Sequence, residues 1–268
     1  ETVQPFPPDK LRELVRRWQA RMDMVEGGPT TAPKFPLPSN LEFLMYYGIL
    51  ENHEDVQKYV NLTLHKMAWG GIYDQVGGGF SRYSVDLLWK IPHFEKMLYD
   101  NGQLLSVYAQ AYRETKIPEY KRVLDQTLTW LEREMKSEEG GLFAAQDADS
   151  EGVEGKYYVW TKEEIEAALG EHASWFWQLY NPGNKGYWEH QQWVLLRNET
   201  WETFCKHHPS VDPLKIQAQL DTLLHLRKKR ILLAKPIGNS RLQIGRCGEG
   251  EELMRLGQSA HKRRRRHH

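Results

Sequence analysis

Three short stretches of this chain concentrate the side chains that could move protons or grip a polar ligand. The densest is Ile91-Pro92-His93-Phe94-Glu95-Lys96-Met97-Leu98-Tyr99-Asp100-Asn101. With Pro92 suited to a first helical position, His93, Lys96 and Asp100 fall at i, i+3 and i+7 and share one helix face. That face could supply a proton shuttle or hold sugar hydroxyls; the competing reading is a set of end-of-helix hydrogen bonds on a solvated surface. The second stretch, from Gln146 to Gly155, opens like a calcium loop, but the twelfth position counted from Asp147 is Tyr158, where such a loop requires Glu. Asp147 and Glu151 can instead act as general acid and base, because close like charges push pKa values apart, or Asp147 and Asp149 merely order a turn through side-chain to backbone bonds. The third stretch, Gly77-Gly78-Gly79-Phe80-Ser81-Arg82-Tyr83-Ser84, lacks the order of a phosphate loop, so no nucleotide is expected. Its glycines permit a tight turn that delivers Arg82 and Tyr83 to a cavity. Trp69, Trp89, Trp160 and Trp188 lie beside these loops; they suit stacking on sugar rings and suit core packing equally well.

Helices must position these stretches. Leu11, Leu14, Val15, Trp18 and Met22 predict an amphipathic helix over 10–25, and a Gly/Pro-rich connector follows to Pro38. Ser39 and Glu42 have the spacing of a capping box and predict the next start. A further helix is expected from His53 to Trp69. Phe94, Met97, Leu98, Leu105, Tyr108 and Tyr112 make one apolar stripe; after a turn at Lys116-Ile117-Pro118, the stripe from Tyr120 to Met135 makes its antiparallel mate. Residues 142–145 and 157–160 read as strands. Thr161 and Glu164 predict another capped helix, Trp175 to Tyr180 more helix, and Pro213 to Arg230 a last amphipathic one. Gly70-Gly71-Ile72-Tyr73 recurs as Gly140-Gly141-Leu142-Phe143, separated by the helical pair. Such alternation predicts stacked helical hairpins whose loops gather on one face, where sites are usually built.

Composition narrows the function classes. At 268 residues and 40% hydrophobic content the chain can bury a real core. No run of 18 apolar residues occurs and mean hydropathy is −0.69, so a soluble, cytoplasmic protein without a membrane span is expected. Lys plus Arg balances Asp plus Glu at 36 each, yet five cations sit together in Lys262–Arg266; setting them aside leaves 31 against 36, an acidic body with no broad pull on phosphates, and nucleic acid is not an expected partner. Cys205 and Cys247 lie far apart and outside any C-x-x-C pair, which excludes a disulfide scaffold, a cysteine zinc site and a thioredoxin-type redox centre. The chain opens at Glu1 without an initiator Met or an apolar leader, and it reads as a piece of a larger protein.

Four motifs in order carry a family resemblance: Ala32-Pro33-Lys34-Phe35-Pro36, Gly70 through Ser84, Pro92 through Asp100, and Asp147-Ala148-Asp149-Ser150-Glu151 with Tyr157-Tyr158-Val159-Trp160. Over roughly residues 1 to 230 the sequence resembles the spermatogenesis-associated protein 20 family. The resemblance implies a mainly α fold: the first half of an (α/α)6 toroid of the six-hairpin glycosidase and N-acylglucosamine 2-epimerase type, with short β-hairpin loops, spanning 39–230. Residues 1–38 would be a leading helix and connector, and 231–268 an irregular basic tail outside the family pattern. An N-terminal thioredoxin-like domain and the remaining hairpins would be missing partners, and the uncovered toroid surface would favour self-association. By fold analogy the activity is sugar epimerase or glycosidase-like proton transfer, without cofactor or metal, on a sugar ligand. His93, Asp100 and Asp147 would be the acid/base groups, and Arg82, Tyr83, Lys96, Asp149, Glu151 and Trp160 the sugar contacts. The alternative is a non-catalytic binding or regulatory module serving the thioredoxin-like domain.

Overall fold

Prolines set where several helices begin. The computed structural model describes residues 7–137 and 140–230. In it α1 (Pro8–Gln19), α2 (Pro38–Leu50) and α5 (Pro118–Trp130) all have Pro in the first turn, where its fixed φ is already helical and no intrahelical N–H bond is lost. At α2 this overrides the expected capping box. Leu37 is the N-cap, at φ 46°, and Pro38 takes the first helical position, so Ser39 lies inside the helix and caps nothing. Further on, Thr161 and Glu164 do form the reciprocal box that opens α6 (Lys162–Leu169). α1 is shorter than its apolar spacing predicts, because the Asp23 carboxylate accepts from the Val25 and Glu26 N–H groups and turns the chain.

α2 and α3 (Glu54–Trp69) form one antiparallel hairpin, and α4 (Leu98–Thr115) and α5 form a second that packs on α2. A π-helical turn, Leu131–Met135, extends α5 to the expected end of its stripe. Beyond α6 come α7 (Ala173–Tyr180), α8 (Trp201–His207) and α9 (Pro213–Arg227). α8 has too few residues to show a period and was not expected. The described residues are mainly helical. Among them strands are confined to three antiparallel pairs of two residues: β1 (Tyr83–Ser84) with β2 (Pro92–His93), β3 (Lys96–Met97) with β4 (Ala145–Gln146), and β5 (Asp149–Ser150) with β6 (Val153–Glu154).

The helix expected from Pro92 therefore starts six residues late. Residues 92–97 are extended, and His93, Lys96 and Asp100 do not share a helix face. The apolar spacing of Phe94 and Met97 continues the α4 stripe by accident of composition, while cross-strand bonds to two other loops hold the backbone open. Residues 157–160 are likewise not a strand beyond the single bridge from Trp160 to Trp193.

One core cluster lies among α1 to α5, around Leu64, Tyr108 and Tyr120, and a second among α6 to α9, around Phe176, Ile216 and Leu223. A third, smaller cluster of Phe94, Ala148, Tyr157, Tyr158, Val159 and Val194 lies under the loops. Val15 of α1 is buried in the first cluster, so the leading helix and the hairpins share one core. The basic run Lys262–Arg266 and the rest of 231–268 lie outside the described residues. Among the described residues no helix is long and apolar enough to cross a membrane.

Candidate functional site

The glycine turn is built around Asp74. Its Oδ1 accepts from the N–H groups of Val76 and Gly77, its own N–H donates to the Gly79 carbonyl, and the Gly78 N–H donates to its carbonyl. Gly78 and Gly79 have φ of +78° and +83°, which side chains rarely tolerate. Buried Asn101 at the start of α4 then grips Phe80 through both backbone groups, accepting at 2.7 Å and donating at 2.9 Å. The chain leaves this clamp as Ser81-Arg82-Tyr83, the Arg82 N–H donates to the Glu95 carbonyl, and β1 pairs Tyr83 with His93. The glycine turn thus delivers Arg82 and Tyr83 beside His93.

Around His93 a set of titratable groups converges. Its Nδ1 lies 2.8 Å from Oε1 of Glu154 on β6, and its Nε2 lies 3.9 Å from Oε2 of Glu95. The same Glu95 oxygen is 3.4 Å from Nη1 of Arg82. Tyr83 is stacked against the imidazole at 5.0 Å, and the tilted ring of Phe35 also packs on Tyr83 at 4.8 Å. Asp100, in the first turn of α4, completes the cluster: its Oδ2 is buried without a hydrogen-bond partner. Burial pushes the Asp100 carboxyl up to about 6, against the pull of Arg82 and helped by Glu95. Half-exposed Arg82 and Glu154 open the cluster to solvent.

Other expected site residues sit elsewhere. Lys96 is fully buried, and its ammonium is spent on Asp74 Oδ2 and the Gly78 carbonyl, each at 2.7 Å, between the rings of Trp130 and Tyr158. Arg227 of α9 reaches the other Asp74 oxygen at 2.8 Å. Burial alone would raise the Asp74 carboxyl, but Arg227 and then Lys96 hold it well below the usual carboxylate range. Trp160 is buried in the second core beneath the Arg230 guanidinium. Asp147 orders its turn by accepting from the Asp149 N–H, while Glu151, at φ 53°, pairs with Lys156. Continuing the Lys96 to Gln146 register brings Asp147 opposite Glu95, yet no hydrogen bond or ion pair among the described residues links it to His93 or Asp100.

A cavity of about 20 Å³ lies between Gly71, Asp74, Ser81, Tyr158 and Trp160. That is room for one water and far below a substrate site. Among the described residues no three His, Cys, Asp or Glu side chains gather as a metal ion would require. The structure thus unites His93, Asp100, Arg82 and Tyr83 and adds Glu95 and Glu154. Glu95 had a readable signal: it follows His93 by two, the strand period. Glu154, 61 residues away, had none.

Comparison with known proteins agrees with the motifs. No family model matches the chain. An uncharacterized protein of Caenorhabditis elegans is 40% identical over 174 residues, 60% of this chain and 24% of that protein. Spermatogenesis-associated protein 20 of Mus musculus is 43% identical over 155 residues, and that of Homo sapiens 42% over the same length; each match covers 54% of this chain and 20% of the relative. The resemblance to the spermatogenesis-associated protein 20 family holds at this level, and the matched segment is a quarter or less of each relative's length.

Proposed function

We propose that this homologue of spermatogenesis-associated protein 20 carries a proton-transfer site for a carbohydrate, of the sugar epimerase or glycosidase-like kind, on the loop face of the first half of an (α/α)6 toroid. The observation that carries the reading is Asp100: a carboxyl with a buried, unpartnered oxygen, raised toward neutrality, within electrostatic reach of Arg82 and of the Glu95 that also approaches His93. Near pH 6 such a carboxyl can give its proton to a substrate oxygen and keep the resulting charge beside Arg82. His93 takes the proton that leaves the substrate, and the reverse transfers restore both groups. Consecutive hairpins α2–α3 and α4–α5, with the site loops following each, support the toroid reading. A thioredoxin-like domain and a link to spermatogenesis belong to the same proposal, the latter from the relatives' name.

The open setting of the cluster favours a second reading, a non-catalytic binding or regulatory module. One experiment separates them. Saturation-transfer NMR against a panel of mono- and disaccharides, run in D2O, should show binding and slow deuterium entry at a sugar carbon, with entry lost in Asp100→Asn and His93→Ala. Binding with neither deuterium entry nor cleavage of a disaccharide, unchanged in either variant, would select the module. Silence from a folded chain across the whole panel would sink the carbohydrate reading.

A further inference from the structure

Glu154 does more than form a surface ion pair. A carboxylate can only accept, so the 2.8 Å contact with Glu154 Oε1 requires His93 Nδ1 to carry a hydrogen. A neutral imidazole has one N–H, and Nε2 is therefore left with the lone pair. At 3.9 Å from Glu95, Nε2 is too far for a hydrogen bond and stays unengaged. The ring cannot swing to exchange its nitrogens cheaply: Tyr83 is stacked on one face at an interplanar angle of 18°, and β1–β2 pairing fixes the backbone that bears it. Glu154 is fixed in turn by the β5–β6 register, which sets it opposite Asp149.

We propose that Glu154 is the positioning residue of a Glu–His pair that selects Nε2 of His93 as the base, so that the β5–β6 hairpin completes a site otherwise built on β1, β2 and α4. This rests on the proton-transfer reading above. During the step the proton leaves the substrate for Nε2, and the imidazolium that forms keeps Nδ1–H on the Glu154 carboxylate, whose charge offsets the new cation. No proton passes to Glu154 itself. The arrangement assigns work to a residue that touches neither substrate nor reacting atom, and it gives the Glu on the exposed hairpin a role beyond the surface.

Long-range 15N–1H NMR of the histidine rings tests this without any substrate. Spectra are taken at pH 9, where imidazoles are neutral, and His93 is assigned by its loss in His93→Ala. Wild type should show the Nδ1–H form. Glu154→Leu, a change at a half-exposed position, should shift His93 toward the Nε2–H form, and Glu154→Gln, whose amide oxygen can still accept, should restore Nδ1–H. In the sugar deuterium assay Glu154→Leu should lower kcat at least tenfold with KM within twofold, and Glu154→Gln should recover part of it. An Nε2–H wild type, or an Nδ1–H form unmoved by Glu154→Leu, overturns the role of Glu154 and leaves the carbohydrate reading standing. A fixed Nδ1–H form in a chain that exchanges no sugar proton upholds the positioning and sinks the carbohydrate reading alone.

Discussion

Two acidic side chains of this chain have been driven in opposite directions by their surroundings, and each makes its own prediction. Asp100 is raised to about 6 by burial, so the folded state prefers it protonated. Its contribution to stability is full below the unfolded pKa of about 3.9 and is lost as pH rises through about 6. Asp100→Asn mimics the protonated form at every pH. The variant should melt close to wild type at pH 4 and above it at pH 7, by about 2–4 °C, or about 1 kcal/mol after allowing for the solvent that reaches this half-buried group. A melting difference that does not change with pH would show that Asp100 is not strained by ionisation. Asp74 is the reverse case, a buried carboxylate held down by Arg227 and Lys96. Lys96→Met removes one of its two cations and leaves the Gly78 carbonyl without its donor, so urea unfolding should report a loss of about 3–5 kcal/mol. A surface sugar-binding lysine would cost far less, and the variant therefore discriminates between the two roles of Lys96.

Among the elements, local signals were readable where they were self-sufficient and failed where two loops had to meet. α3, α5 and α9 follow their apolar periods, and the Thr161 box forms because nothing upstream competes for its positions. Ser39 lost its cap to the proline one residue earlier, a conflict visible in the sequence once both signals are weighed. Over residues 92–97 the helical spacing of Phe94 and Met97 points to a helix; only pairing with Tyr83 and with Ala145–Gln146 makes them extended, and neither mate is local. A helix there would turn Glu95 away, whereas an extended chain places it on the side of His93. Glycines test this level directly. At Gly79 a Cβ would stand 2.8 Å from the Trp130 ring, at φ +83°, and Trp130 is itself tied to Gln146 at 2.9 Å. Gly79→Ala should cost about 2 kcal/mol or more in urea unfolding and displace the Arg82 strand. Gly102, inside α4 with open space around its Cβ position, predicts the opposite sign: Gly102→Ala should stabilise by about 0.5–1 kcal/mol.

For the whole molecule the question is whether the two large cores act as one. Periodicity announces the longer helices but not what joins them, since the joints are buried charges far apart in sequence. Arg197, in the loop before α8, places its Nη2 2.5 Å from Glu119 Oε1 in the first turn of α5, with both side chains almost fully buried. The same arginine donates from Nε to Gln75 and from Nη1 to the Glu199 carbonyl, and its backbone N–H reaches the Trp69 carbonyl at the end of α3. Burial pushes the Glu119 carboxyl up, but Arg197 and then Arg122 hold it below the usual range. Its stabilising share is thus present above the unfolded carboxylate pKa and is lost as pH falls below it. Arg197→Ala should cost about 3–5 kcal/mol at pH 7, because Glu119 stays buried after losing its strongest cation and keeps Arg122 as an ion-pair partner, and the penalty should narrow toward pH 4 as Glu119 takes up a proton. If the ion pair makes the cores one cooperative unit, hydrogen exchange in the variant should show amides of α3 and α5 losing protection together with those of α8 and α9. Loss confined to α6 through α9, with α1 through α5 as protected as in wild type, would instead mean that the helices carrying the His93 cluster fold without the second core and that the pair only docks it.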